Sequence, residues 1–257
     1  MPQRDEPSTP SLEAGVVQVW KASLDVAGVE VLELERLLAQ GEREWMRRLR
    51  FDRDRRRYGV GRLWLRRLLA GYVDRRPEEL GFRLNANGKP SLAPPDDVSG
   101  LRFNVSFSGD TALCAVAVDT EVGVDVERVR SDVEVEKIAT SFFAGGERRV
   151  LRGLPPEPRV RAFFRCWTRK EAYVKALGLG LSVPLDSFDV ALGLEKGLSE
   201  PCLIWGPAGT EWSLQDLDVE PGYAAALVIE GPPASVRRVA VSTSCSVLTL
   251  PEADLDQ

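Results

Sequence analysis

The segment from Arg165 to Leu181, RCWTRKEAYVKALGLGL, constrains the fold more than any other part of the chain. Its apolar residues recur at helical intervals, which predicts an amphipathic helix with one face in the core. Gly178 and Gly180 are expected to end this helix, because glycine takes the left-handed turn conformation at little steric cost. Glu171 and Lys175 lie four residues apart, so their charged ends share one side of the helix. A solvated ion pair is the simplest explanation of that spacing, unless other parts of the chain supply partners.

The overall composition is that of an ordinary globular protein and argues against membrane insertion or export. Of the 257 residues, 44% are hydrophobic and 28% are charged. No run approaches the roughly 18 apolar residues that a membrane-spanning helix needs, and the first residues lack the positive-then-apolar pattern of an export signal. Four widely spaced cysteines fit reduced thiols better than disulfides. We therefore predict a cytoplasmic protein that has no membrane partner.

The absence of histidine removes whole classes of catalytic site. A Ser-His-Asp triad, a histidine-paired cysteine nucleophile and the usual histidine metal ligands are all excluded. Acid–base chemistry must then come from carboxylates, lysine, tyrosine or water. Any metal ion bound by side chains is expected to be a hard, oxygen-ligated one such as Mg²⁺.

The order of predicted elements divides the chain into two similar α+β halves. A tail at 1–13, rich in Pro, Ser, Thr and acidic residues, is predicted to be disordered. The N-terminal half is expected at 14–119 and the C-terminal half at 120–240, followed by a C-terminal extension at 241–257.

Local patterns place the main elements of these halves. Helical periodicity is found at about 30–39, 42–50, 54–73 and 133–143, and in the helix that holds Glu171. Runs rich in β-formers predict strands at about 16–20, 82–84, 101–106, 112–118, 122–127, 188–192, 202–205, 212–217 and 223–229, with an edge strand within 236–248. Asn87-Gly88 marks a tight turn.

Asp125 and Glu127 are the first candidate site residues. Residues two apart on a strand face the same way, so both carboxylates project from one face while Val124 and Val126 point into the core. Like charges placed this way repel each other unless a cation or basic groups lie between them. Together with Glu171 they would suit Mg²⁺, which takes few protein oxygens. Taken alone, the pattern is better explained by two acids on a solvated sheet face.

Two further short motifs carry groups that bind anions. Ser106 and Ser108 lie two apart in Phe103–Ser108, so both hydroxyls face one side of a strand. Lys89 lies between Gly88 and Pro90, on a rigid turn that is a good mount for a phosphate-binding ammonium group. Each motif is also compatible with an ordinary turn.

In order and approximate spacing, four motifs together resemble the surfactin-type 4′-phosphopantetheinyl transferases. The motifs are Gly88–Pro90, Phe103–Ser106, Gly123–Glu127 and Trp167–Ala176, and the resemblance covers about residues 16–230. It implies a pseudo-dimer of two α+β halves with the active site at their junction. It also implies Mg²⁺-dependent transfer of the 4′-phosphopantetheine group from coenzyme A to a serine of an acyl or peptidyl carrier protein. Adenosine 3′,5′-bisphosphate is the other product, and a monomer is expected.

The resemblance assigns the metal and phosphate groups to residues of the second half. Asp125, Glu127 and Glu171 match the metal carboxylates, which hold the pyrophosphate through the ion. Lys175 matches a lysine that contacts the phosphates and stabilises charge as the bond breaks.

The same resemblance assigns coenzyme A contacts and a candidate base. Lys89 and Ser106 match contacts near the nucleotide end, and Arg57 is the favoured phosphate contact among the arginines. Glu147 matches a glutamate proposed to take the carrier serine's proton directly or through water. A metal-bound water is the alternative base.

Phe107 departs from the family pattern, in which a histidine at this position binds the 3′-phosphate. A phenyl ring cannot donate to a phosphate. Either nearby arginines replace the contact or recognition of the 3′-phosphate is weakened. We predict a smaller preference for coenzyme A over dephospho-coenzyme A than in relatives that carry the histidine.

Two other functions are compatible with these patterns. Loss of a site group would leave a catalytically impaired coenzyme A-binding protein of the same fold. Seven arginines between residues 47 and 57 would suit an RNA-binding patch, but the net charge is −5 and no aromatic ladder accompanies them. Asp52 and Asp54 are available to pair with these arginines, so we predict no nucleic-acid partner. The sequence does not specify which carrier protein or pathway is served, or whether Mg²⁺ is preferred to Mn²⁺.

Overall fold

The structure is a computed structural model that describes residues 12–97, 100–190, 193–194, 197, 200–205 and 209–241. Within these residues it contains six α-helices: α1 (Val31–Leu37), α2 (Gln40–Arg48), α3 (Asp52–Val73), α4 (Val135–Phe142), α5 (Gly145–Gly153) and α6 (Pro156–Leu177). Its strands are β1 (Val16–Ser23), β2 (Phe82–Leu84), β3 (Pro90–Leu92), β4 (Leu101–Ser108), β5 (Thr111–Val118), β6 (Val122–Arg128), β7 (Cys202–Trp205), β8 (Glu211–Asp216), β9 (Tyr223–Glu230) and β10 (Ser235–Val241).

Each half combines a four-stranded sheet with one 22-residue helix. The first sheet has the strand order β10-β1-β5-β4, and α3 contributes Leu65, Leu69 and Trp64 to the core beside it. The second has the order β6-β9-β8-β7, and α6 contributes Phe163 and Tyr173 to the core on that side. The predicted α+β pseudo-dimer is therefore confirmed.

The two sheets also share a core of small and β-branched residues. Val17, Val19 and Ala115 of the first sheet pack in one buried cluster with Val124 and Leu227 of the second. Alternation along β6 explains this, because residues 122, 124 and 126 point into the shared core. The acidic residues between them face the other way.

Helix α6 lies directly on β6 because Gly123 has no side chain. A Cβ atom at Gly123 would lie 2.0 Å from the Ala172 carbonyl oxygen and 2.4 Å from the Ala176 backbone nitrogen. The close approach brings Lys175 to the edge of β6. Gly178, with φ of +66°, ends α6 as predicted.

Three predictions about the elements need correction. The strand β10 falls almost wholly within the predicted second half at 120–240 but joins the first sheet, in parallel with β1. Neither helix α5 nor strand β3 was predicted. The strand predicted near 188–192 is absent at 188–190, because backbone groups there bond to side chains instead: Phe188 and Val190 bond to Lys170 and Glu147, respectively.

Some predicted segments lie partly outside the described residues. These are most of the tail at 1–13 and nearly all of the extension at 241–257, along with residues 191–192. Among the described residues, no helix combines the length and apolar character needed to cross a membrane. Cys114 and Cys166 are free and buried, in agreement with the predicted reduced thiols.

Candidate active site

The candidate site is built on the free edge of β6, where the two sheets meet. Strand β9 pairs with one edge of β6, and the other edge faces β4. Three side chains of β4 accept hydrogen bonds from backbone N–H groups of that edge: Asn104 from Val124 at 2.9 Å, Ser106 from Val126 at 3.3 Å and Ser108 from Arg128 at 3.0 Å. Side chains therefore satisfy backbone groups that a neighbouring strand would otherwise pair.

Two lysines bond to carbonyl groups of the same edge. Lys89 Nζ donates to the Val122 carbonyl at 3.3 Å, and Lys175 Nζ donates to the Val124 carbonyl at 3.4 Å. All four motifs singled out in the sequence thus meet at one strand edge. Their separation along the chain gives no hint of this convergence.

Asp125 lies at the centre of the acidic group and is only 3% exposed. Its Oδ1 accepts hydrogen bonds from Lys175 Nζ at 2.6 Å and from the Ser106 hydroxyl at 2.8 Å. The Ser106 hydroxyl also accepts from Lys175 Nζ at 3.0 Å. Asp125 Oδ2 is buried without a hydrogen-bond partner, which is costly for a carboxylate oxygen.

Glu127 and Glu171 complete a group of three mutually repelling carboxylates. Burial raises the pKa of Glu171, and the nearby Asp125 carboxylate raises it further, while Lys175 opposes the shift. Burial likewise raises the pKa of Glu127, against the effect of the Ser108 hydroxyl, which donates to Glu127 Oε2 at 2.7 Å. Lys175, with Arg130 acting on Glu127, does not supply enough positive charge to offset these effects.

This donor set fits a hard divalent cation. The unpartnered Oδ2 of Asp125 and the raised pKa values of Glu127 and Glu171 are the features expected where a cation normally balances buried carboxylates. The side chains are not arranged as a closed coordination shell: in the described part of the chain, no three Asp, Glu, Cys or His residues are spaced to bind a metal ion.

Lys89 links the two halves of the molecule. Its ammonium group lies 2.5 Å from Glu121 Oε2 and donates to the Ala176 carbonyl at 2.8 Å. The side chain is largely buried between the β2–β3 turn, β6 and α6. Lys89 therefore lies at the Val122 end of the edge, whereas Asp125 and Lys175 bond farther along it.

Arg57 and Phe107 line a cavity of about 490 Å³ beside this edge, in the N-terminal half. Leu24, Trp45 and Tyr58 give it largely apolar and aromatic walls. Phe107 lies on the opposite face of β4 from its serine neighbours, as alternation requires.

The guanidinium groups of this cavity already have carboxylate partners. Arg57 donates to Asp110 at 2.7 Å, and Arg62 donates to Glu42 at 2.8 Å. Neither arginine presents an unpaired charge to the cavity.

Glu147 is fully buried and lies in a structural ion pair. Its Oε1 is 2.8 Å from Lys170 Nζ and accepts from the Val190 N–H at 2.8 Å, while Oε2 accepts from the Ala144 N–H at 2.7 Å. Both oxygens are engaged and neither reaches solvent. This geometry argues against the predicted role of Glu147 as the base.

Sequence analysis paired Ser108 with Ser106 but did not single out Asn104 or Glu121. Asn104 extends the serine pattern by one step, because residues 104, 106 and 108 share one face of a strand. That alternation was a usable signal. Nothing local pointed to Glu121, since its partner Lys89 lies 32 residues away.

Comparisons with known proteins agree with this architecture. A family model described as the 4′-phosphopantetheinyl transferase superfamily matches residues 121–228. A second, described as 4′-phosphopantetheinyl transferase, N-terminal, matches residues 20–119.

Individual relatives match over most of their length. The chain is 36% identical over 227 residues to the 4′-phosphopantetheinyl transferase HetI of Nostoc sp., spanning 88% of this chain and 92% of that protein. It is 33% identical over 171 residues to a 4′-phosphopantetheinyl transferase of Bacillus subtilis, spanning 63% and 73% of the two chains. It is 29% identical over 199 residues to the 4′-phosphopantetheinyl transferase Sfp of Bacillus subtilis, spanning 74% and 81%.

A two-half α+β fold with carboxylates and lysines at the junction thus defines an enzyme of the phosphopantetheine-transferring class. The chain belongs to the 4′-phosphopantetheinyl transferase superfamily, and the family predicted from the four motifs is confirmed.

Proposed function

We propose that this chain catalyses Mg²⁺-dependent transfer of the 4′-phosphopantetheine group from coenzyme A to a serine of an acyl or peptidyl carrier protein. The serine oxygen forms the new bond to the β-phosphorus, and adenosine 3′,5′-bisphosphate leaves. The observation that carries the metal requirement is the unpartnered, buried Oδ2 of Asp125, whose carboxylate also helps to raise the pKa values of Glu127 and Glu171.

Asp125, Glu127 and Glu171 would hold the ion. Mg²⁺ commonly binds through one or two carboxylates and completes its shell with water and substrate phosphate oxygens, so an open protein donor set suits it. When bound, it would neutralise charge on the phosphates as the leaving group departs.

Lys175 would stabilise the same developing charge. Its ammonium group is 28% exposed and lies 2.6 Å from Asp125 Oδ1. A cation bound at Asp125 would weaken that pairing and free Lys175 to contact a phosphate oxygen.

Coenzyme A would be bound across the junction by Lys89, Ser106 and Arg57. Both cationic groups are paired in this structure, Lys89 with Glu121 and Arg57 with Asp110. The phosphates would therefore compete with these carboxylates for the same donors. Since Glu147 is buried, water is the proton acceptor most compatible with this site.

The carrier is proposed to dock beside the C-terminal end of α6. Leu179, directly after α6, is 40% exposed there, although large apolar side chains are usually buried. An acidic helix of the carrier would lie against this surface. We propose that the enzyme acts in the cytoplasm as a monomer.

The decisive experiment is a carrier-modification assay. The protein is incubated with Mg²⁺, coenzyme A and a panel of apo carrier proteins, and the mass of each carrier is measured. We expect at least one carrier to gain the mass of the phosphopantetheine arm, and chelation of the metal to abolish the gain. Asp125→Asn should lose the activity, whereas Asp132→Asn, which changes an exposed aspartate shortly after the same strand, should retain it.

A catalytically impaired coenzyme A-binding protein is the second candidate. The observation that favours it is the aromatic cavity at Phe107, whose arginines are already paired. Calorimetry that detects coenzyme A binding, together with no mass gain on any carrier, would support this candidate over the transferase.

A further inference from the structure

At the β4–β6 junction, side chains of β4 accept the hydrogen bonds that backbone carbonyl groups accept between paired strands. Asn104, Ser106 and Ser108 each accept one β6 N–H group. The two serines also donate to a carboxylate: Ser106 to Asp125 and Ser108 to Glu127. Each hydroxyl therefore donates to the carboxylate of one acidic residue and accepts from the backbone N–H of the next residue along β6. For Ser106 that next residue is Val126, and for Ser108 it is Arg128.

A single serine hydroxyl has the donor and acceptor capacity that this arrangement requires. It has one O–H to donate to the carboxylate and two lone pairs to accept the N–H. Because both contacts share one oxygen atom, the carboxylate is held in a defined position relative to its own backbone. A longer polar side chain would leave this position less restricted, since it has more rotatable bonds.

We propose that Ser108 is a positioning residue, which orients Glu127 towards the bound cation and the coenzyme A phosphates. Ser106 does the same for Asp125, and Asn104 anchors the start of the acidic strand. This inference rests on the proposed function, because it assigns a purpose to the orientation of the carboxylates. Hydrogen-bonded partners of metal ligands typically contribute about 10- to 100-fold to metal affinity or activity.

Ser108 provides a cleaner test than Ser106. Ser106 is 5% exposed and bonds to Lys175 as well as to Asp125, so its replacement would disturb several buried groups. Ser108 is partly exposed at the end of β4, and water can solvate the Arg128 N–H if the hydroxyl is removed.

The experiment measures Mn²⁺ binding, as a spectroscopic substitute for Mg²⁺, by calorimetry and electron paramagnetic resonance in the presence of coenzyme A. We expect Ser108→Ala to raise the Kd for Mn²⁺ by about tenfold and to leave the melting temperature unchanged. Ser108→Thr, which keeps the hydroxyl, should restore the affinity. Ser213→Ala is the matched control, because it removes a buried strand serine that donates to Gly231 at 2.7 Å on another strand pair, and it should leave the Kd unchanged.

Two results would overturn the inference while leaving the function in place. One is a wild-type protein that modifies its carrier but shows the same Mn²⁺ Kd as Ser108→Ala. The other is a Ser108→Thr variant that folds but binds no better than Ser108→Ala. A wild-type protein that modifies no carrier would instead overturn the proposed function itself.

Discussion

Glu171 projects from α6 towards Asp125 and Glu127, and its pKa is raised because it is half-buried among like charges. Replacing it with glutamine removes one of the three repelling charges and keeps the shape of the side chain. We expect Glu171→Gln to lose transferase activity yet raise the melting temperature of the metal-free protein by about 2 °C, the shift that roughly 0.5–1 kcal/mol gives in a chain of this size. Calorimetric melting and the carrier assay test both parts. A lower melting temperature would contradict the repulsion argument.

The raised pKa values of Glu127 and Glu171 also predict a pH dependence. The folded, metal-free protein keeps protons on these carboxyl groups to higher pH than the unfolded chain, where the ordinary value is 4.5. The free energy of unfolding therefore falls as pH rises from that value through the raised folded pKa values. Added Mg²⁺ should raise the melting temperature more above this window than below it, because the cation binds the deprotonated carboxylates.

Phe107 carries our prediction about substrate choice. Since its ring donates no hydrogen bond and the nearby arginines are paired, a 3′-phosphate would have to displace Asp110 from Arg57 or Glu42 from Arg62 to gain a charged donor in this cavity. We expect kcat/KM for coenzyme A to exceed that for dephospho-coenzyme A by less than about tenfold, the smaller end of what one charged hydrogen bond contributes.

A variant with an added charge tests the same point directly. Phe107→Arg should raise the preference for coenzyme A by about tenfold. Leu32→Arg, which adds the same charge at an exposed position on α1, serves as the control. A strong preference in the wild type that survives replacement of both Arg57 and Arg62 would disprove the expectation.

At the scale of elements, the contact between β6 and α6 sets the position of Lys175. It depends on Gly123, where a methyl group would collide with the α6 backbone rather than with a flexible side chain. We expect Gly123→Ala to lower the free energy of unfolding by about 3 kcal/mol, the upper end of typical overpacking costs. Denaturant unfolding measures this, with Gly41→Ala as control because no atom lies near its added methyl group. An unchanged midpoint would show that the two elements separate easily.

The Glu147–Lys170 pair joins α5 to α6 and to the loop that follows α6. Both side chains are fully buried, and Lys170 also donates to the Leu185 and Phe188 carbonyls at 2.6 and 2.7 Å. Breaking such a pair leaves an uncompensated buried charge, so Glu147→Gln should cost about 3 kcal/mol of stability. The Mg²⁺ concentration needed for half-maximal activity should not change. If activity falls by orders of magnitude in a variant that stays folded, Glu147 has a direct chemical role after all.

At the scale of the whole molecule, the C-terminal part of the chain completes the N-terminal sheet. Strand β10 pairs in parallel with β1, from Val16 opposite Ser235 to Ala22 opposite Val241. A chain that ends at residue 234 would leave the outer edge of β1 unpaired. We expect its melting temperature to fall by about 10 °C, as a loss of roughly 3 kcal/mol implies.

Hydrogen exchange distinguishes local from general loss of stability in this truncated chain. Amides of residues 16–23 should exchange faster than in a control chain that ends at residue 241, while those of β8 and β9 should change less. If amide exchange became faster to the same extent in both sheets, the loss of β10 would destabilise the whole molecule and not the first sheet alone.

The sequence by itself determined the type and approximate limits of most elements. Periodicity identified α3, α6 and β4–β6 because these segments are long and bury one face. It failed for α5 and for 188–190, where the Glu147 and Lys170 side chains organise the backbone. Alternation likewise placed Asp125 and Glu127 on one face of a strand, which is a local property of the chain.

Only the tertiary structure decided which groups Glu171 and Lys175 contact. In the sequence the two are compatible with a solvated ion pair. In the fold, Lys175 instead bonds to Asp125 and Ser106. The carboxylate of Glu171 lies near those of Asp125 and Glu127 on β6. These partners lie between 44 and 69 residues away along the chain. Packing of α6 on Gly123 and the meeting of two sheet edges bring them together, and no local pattern encodes such contacts.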